Sequence, residues 1–113
     1  MKSDELKVWR DTLALLLRVS KLGDVLESDG GSVGDFAVLK ADLVEALTSV
    51  FHANERPDAA PKEIASAIEH VVRAKVWIRV LTETHIISRF IYQQLYTNAS
   101  SILSQLHEWQ EGG

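Results

Sequence analysis

The chain has 113 residues, 46% of them apolar and 25% charged, with a formal net charge of −4 at neutral pH. That size fits one domain spanning 1–113, large enough for a modest core and small enough to gain from self-association. The lack of cysteine excludes disulfides, thiolate metal sites and a thiol nucleophile, and the net acidity counts against tight nucleic-acid binding, which draws its affinity from neutralised phosphates.

Met1-Lys2-Ser3-Asp4-Glu5 has no apolar run, so no signal peptide is expected, and charges interrupt every apolar segment before it could span a membrane. The expected location is the cytoplasm. Charge is unevenly spread. From Asp24 to Asp58 eight acids face only Lys40 and Arg56, an acidic middle between more basic flanks. Such a distribution suits either a solvated surface or pairing between subunits.

The first predicted helix covers about 4–27, with Ser3 as N-cap and Asp4 and Glu5 in the first turn, where the helix dipole favours acids. Its apolar stripe is read as Leu6, Trp9, Leu13, Leu16 and Ser20. Ser28-Asp29-Gly30-Gly31-Ser32 breaks it. The second helix, about 34–55, carries Phe36, Leu39, Leu43, Leu47 or Ala46, and Val50 on one side, and ends at Arg56-Pro57 because proline disfavours helix in the residue before it. Pro61 suits the first turn of the third helix, about 61–86. That helix has a core stripe of Ile64, Ala67, Val71, Ala74, Ile78, Leu81 and His85. A separate row, Val72, Val76 and Val80, lies outside this arc, with Trp77 off both. One stripe suffices for a bundle core, so the row and Trp77 are the expected subunit interface. Ser88 is the expected N-cap of the fourth helix, about 89–109, with Ile91, Leu95, Asn98, Ile102, Leu106 and Trp109 as its stripe and Asn98 as a polar core residue that fixes register. No segment has the period of a strand. Short connections make consecutive helices antiparallel, which predicts an all-α, up-down-up-down antiparallel four-helix bundle.

The opening Leu6-Lys7-Val8-Trp9 before a Leu-rich helix, the breaks near Ser28 to Ser32 and at Pro57, and the transition from Leu81 to Ile87 and Ser88 resemble the ribosomal RNA intervening-sequence (S23-type) family. These are small four-helix bundle proteins, related to the accessory variability proteins of diversity-generating retroelements. Where members often carry a Ser-Ile-Pro-Ala-Asn-Ile-Ala-Glu-Gly type stretch, this chain reads Ser49-Val50-Phe51-His52-Ala53-Asn54-Glu55. The resemblance implies a cytoplasmic bacterial protein without catalysis or cofactor that closes into a homo-oligomeric ring, commonly of five. In the retroelement branch it implies binding to a reverse transcriptase and to RNA or DNA.

Candidate chemistry is sparse. Lys7, Arg10, Arg18 and Lys21 fall within an arc of roughly 80° on the first helix, a face able to track a phosphate backbone. Asp11 lies beside them, and no surface aromatic is interleaved. Arg79 and His85 formally match the Arg and His of four-helix ribonucleases of the HEPN class. In a continuous helix, though, they point roughly 120° apart, and Glu83 is the simpler partner for Arg79. His52, His70, His85 and His107 have no metal-site spacing; His52 and Glu55, one turn apart, are a lone pair. Gly30-Gly31 and Gly34 sit among acids and would repel phosphate. Trp9, Trp77, Tyr92 and Tyr96 are read as packing or interface residues. The expected protein is a non-enzymatic, homo-oligomeric interaction module without metal or cofactor, with a nucleic-acid-binding accessory factor as the alternative and a ribonuclease behind it.

Overall fold

The computed structural model describes residues 6–28 and 34–112. The described residues form four helices, α1 (Lys7–Ser28), α2 (Gly34–Glu55), α3 (Ala60–Glu83) and α4 (Arg89–Gly112), with a 3-10 turn, Pro57–Ala59, between α2 and α3. No described residue is in a strand. The N-cap expected at Ser3, with Asp4 and Glu5, and the break at Asp29-Gly30-Gly31-Ser32 lie outside the described residues. Each helix packs on its sequence neighbours and α4 closes on α1, with α2 against α3 the most extensive contact. The result is an antiparallel four-helix bundle measuring 45 × 20 × 19 Å.

The core follows from one spacing used four times. Val8, Thr12, Leu15 and Val19 of α1 are buried, as are Phe36, Leu39, Leu43, Ala46, Val50 and Ala53 of α2. α3 contributes Ile64, Ala67, Val71, Ala74, Ile78 and Leu81, and α4 contributes Tyr92, Leu95, Ala99, Ile102 and Leu106. Steps of three and four residues alternate throughout. Such seams let neighbouring helices cross at about 20° with side chains interlocked. Alanines between the large residues leave room for the opposite seam.

Two of the expected stripes are corrected. On α1 the buried seam is rotated: Leu6, Trp9 and Leu16 are half-buried flanks of the core, and Leu13 and Ser20 are likewise only half-buried. α1 carries leucines around most of its circumference, so periodicity alone admits several seams. The one used contains Thr12, whose hydroxyl donates to the Val8 carbonyl at 2.6 Å and so enters the core with its polar group satisfied by its own helix. On α4, Ala99 occupies the seam and Asn98 lies half-exposed toward α1. Asn98 is therefore not a polar core residue; alanine lets the helices approach at that level. On α2, Ala46 is the seam residue and Leu47 its half-buried neighbour.

The α3–α4 connection differs most from expectation. α3 ends at Glu83, and His85, expected on the core stripe, is exposed with φ of 62°. Its N–H donates to the Thr82 carbonyl at 3.1 Å, and the Ile86 N–H donates to the Leu81 carbonyl at 2.9 Å. These two bonds form a Schellman cap with a left-handed residue just beyond the helix. Ile87 is buried, and Ser88 caps α4 as expected, its Oγ accepting from the Ile91 N–H at 3.2 Å. At the other junction Arg56 is extended (φ −128°, ψ 83°), as a residue before proline must be, and Pro61 lies in the first turn of α3.

Candidate interaction faces

Four helices around a square leave four lateral faces. The α3/α4 face holds the expected valine row. Val72, Val76 and Val80 are 44%, 58% and 37% exposed, and with Leu103 of α4 they line an open groove of about 390 Å³. Trp77 does not line it; the ring is half-buried against the core. The aromatic wall comes instead from α4, where Tyr92 and Tyr96 lie 5.3 Å apart between ring centres. Two cations sit over these rings: Lys75 Nζ is 4.6 Å from the centre of Tyr96 and the Arg79 guanidinium 5.7 Å from that of Tyr92. Arg79 also donates to the Tyr92 hydroxyl at 3.3 Å and pairs with Glu83 at 3.0 Å, the ion pair expected from their spacing. The Tyr92 hydroxyl first, and then Glu83, raise the guanidinium's pKa above its ordinary value. Arg79 and His85 line different depressions and do not converge.

Opposite this groove, the α1/α2 face exposes Val44 and Phe51 of α2, with Trp9 of α1 half-buried and its ring centre 6.3 Å from that of Phe51. The α2/α3 face is crossed by polar pairs instead. His70 Nδ1 lies 3.0 Å from an Asp42 carboxylate oxygen, Ser49 donates to Ser66 at 3.1 Å, and His52 Nδ1 lies 3.9 Å from Glu63. His52 thus reaches across the helices to Glu63. Among the described residues no three His, Asp or Glu side chains converge as metal ligands would.

The α4/α1 face carries the four expected cations. Lys7 is engaged with Asp11 at 2.7 Å, and Gln105 of α4 donates to the same carboxylate oxygen at 2.8 Å. The Lys7 hydrogen bond, supported by that of Gln105, holds the Asp11 carboxyl below its usual range despite partial burial. Arg10, Arg18 and Lys21 are exposed. Arg18 borders a shallow depression whose other walls come from α4: Phe90, Gln93, Gln94, Thr97 and Asn98. Phe90 is 70% exposed. The missing surface aromatic is therefore supplied by another helix, where the spacing within α1 gives no sign of it. The pairs of the valine groove were more legible: Arg79 with Tyr92 and Lys75 with Tyr96 are placed symmetrically about the turn at His85-Ile86.

These features define an all-α bundle with two opposed apolar faces, one polar seam and one cationic face. The fold is similar to that of a crystallised protein of unknown function from the S23 ribosomal protein family of Bacteroides thetaiotaomicron, with a TM-score of 0.83 at 16% identity over 98% of this chain and 99% of that one. At that identity the likeness establishes the architecture. No protein-family model and no curated protein sequence matches the chain.

Proposed function

We propose that this protein is a non-enzymatic cytoplasmic scaffold that assembles with itself, the α3/α4 groove of one copy receiving the α1/α2 face of the next. The observation that carries the reading is the exposed row Val72, Val76 and Val80. It is a second apolar stripe on a helix whose core stripe is already satisfied, and a contiguous exposed patch of that kind marks an interaction surface. Its counterpart, Val44 and Phe51 with Trp9, lies on the opposite side of the square. Unlike patches on opposite sides join head to tail, and such contacts close into rings when the rotation allows. Five copies is the number that the family resemblance implies. Nothing in the groove favours a reverse transcriptase over a second copy of the chain, so the partner proposed is the chain itself.

Light scattering at micromolar concentration tests the assembly: a monomer mass for the unaltered protein overturns it. Val76→Glu and Val44→Glu each place a charge on one face without touching the core. Each variant alone is expected to be a monomer of unchanged helicity, and a mixture of the two is expected to form a dimer through the sound face that each retains. If only Val76→Glu dissociates the assembly, the contact is instead symmetric, groove to groove.

A further inference from the structure

Of the two cations that line the α3/α4 groove, Arg79 is neutralised within the chain, pairing with Glu83 and donating to the Tyr92 hydroxyl. Lys75 is not. Its ammonium lies 4.6 Å from the centre of the Tyr96 ring, and among the described residues it has no carboxylate beside it. The side chain is half-buried against an apolar wall. A charge drawn partly out of water in such surroundings is costly until an opposite charge meets it, so the groove is built to receive one anionic group.

The remaining walls give the shape of the molecule that brings it. Val72, Val76 and Val80 run along α3 for about 12 Å at 1.5 Å rise per residue, and Leu103 lines the same space from α4. That space, about 390 Å³, has the size of a small-ligand site with apolar walls and few polar groups. A flat aromatic ligand fits poorly, because a cation already covers each tyrosine ring. A multiply charged head fits poorly too, since a second negative charge would find only Arg79, which Glu83 already holds. We propose that the groove binds a medium-chain amphiphile with a single carboxylate, a fatty acid in class, its head on Lys75 and its tail along the valine row. The ligand site stands on the groove alone, while its consequence for assembly rests on the docking proposed above. Tail and neighbouring copy compete for the same three valines, so filling the groove dissociates the assembly.

The test is equilibrium dialysis of Val44→Glu, which keeps the groove and lacks the face proposed to fill it, against labelled hexanoate, octanoate, decanoate and dodecanoate, with octanol as the uncharged control. All are kept below their micelle-forming concentrations. Each added methylene should tighten binding by about four-fold, and the gain should stop once the tail outgrows the row. Lys75→Gln should weaken octanoate by about ten-fold and leave octanol unchanged, and Lys75→Arg should restore the difference. Both substitutions lie at the rim of the core, so an unmoved melting curve separates a binding defect from a folding one. No binding, octanoate held no tighter than octanol, or Lys75→Gln binding octanoate like its parent overturns the proposal. So does an affinity that climbs with chain length without limit, the mark of unspecific partition onto apolar surface. On the unaltered protein, decanoate should lower the light-scattering mass toward the monomer at the concentrations that saturate Val44→Glu. A mass that holds with decanoate bound overturns the competition and the groove docking, and leaves the ligand site supported. An unaltered protein that is a monomer without any ligand overturns the docking alone, because the dialysis is read on a variant that needs no assembly.

Discussion

α1 and α3 bury seams of the same spacing and dispose of their surplus apolar residues in opposite ways. In α3 a third of the seam is alanine, the valine row stands clear of it, and Lys75 and Arg79 lie beside the row over the rings of Tyr96 and Tyr92. The surplus there is a separate face. In α1 the surplus is graded: Leu16 and Trp9 are half-buried flanks of the core, and Leu17 is exposed. A helix whose leucines cover more than one possible seam is steered into register by its neighbours more than by its own pattern. The two helices thus put similar residues to different uses, one to widen a core and one to build a surface.

The comparison breaks most sharply in the core. Leu15→Ala in α1 and Ile78→Ala in α3 should each cost about 2 to 5 kcal/mol of unfolding free energy, because both side chains are fully buried. Leu17→Ala and Val76→Ala should leave it within about 0.5 kcal/mol once the proteins are compared as monomers. Urea titrations read all four. A larger loss for Leu13→Ala than for Leu15→Ala would return α1 to the register in which Trp9 and Leu13 lead.

Trp9 tests the flank. A fully buried Trp would lose about 3 to 5 kcal/mol on truncation to Ala. Here the ring is half-buried against Phe51, so about half that loss is expected, together with weakened assembly if the α1/α2 face docks as proposed. An unchanged melting curve with intact assembly would leave the ring without a role in either.

How far the sequence could be read follows the same division. The seams of α2 and α3 were legible because each has one arc on which apolar residues recur at every step of three or four, while their other apolar residues fall on separate faces. The seam of α1 was not, since five leucines between positions 6 and 17 offer more than one stripe and the true one includes a threonine. The end of α3 was hidden for another reason: no glycine or proline marks it, and His85 takes the left-handed position that glycine usually fills. Of the interaction faces, the valine row was visible within one helix. The Phe90 patch was not, because its parts come from both ends of the chain and only the closing of α4 on α1 unites them.

His85 gives a prediction of intermediate size, with the opposite sign. A non-glycine residue in the left-handed region carries a strain of roughly 1 kcal/mol, relieved by His85→Gly while the Schellman hydrogen bonds stay as they are. Thermal unfolding should shift upward by a few degrees, and His85→Ala should not reproduce the gain. A loss on His85→Gly would mean that the imidazole makes contacts that outweigh its backbone strain.

The smallest effect concerns the tie between the first and last helices. The Asp11 pKa is lowered in the folded protein, chiefly by the Lys7 hydrogen bond and then by that of Gln105. A depressed carboxyl stabilises the fold at pH values above its unfolded pKa, near 3.9, and this contribution disappears as the pH falls through the folded value. Asp11→Asn removes the charge at every pH. The gap in stability between the unaltered protein and Asp11→Asn should therefore be widest at neutral pH and should close as the pH falls through the lowered pKa of the folded carboxyl. It should remain under about 1 kcal/mol, because the carboxylate is partly open to solvent and the Lys7 pair is screened. Added salt should narrow the gap without abolishing it, since the Gln105 amide is neutral and its hydrogen bond across α1 and α4 does not depend on ionic strength as an ion pair does. If the gap vanishes in high salt, Lys7 carries the whole contribution, and the contact with Gln105 does not hold α4 to α1.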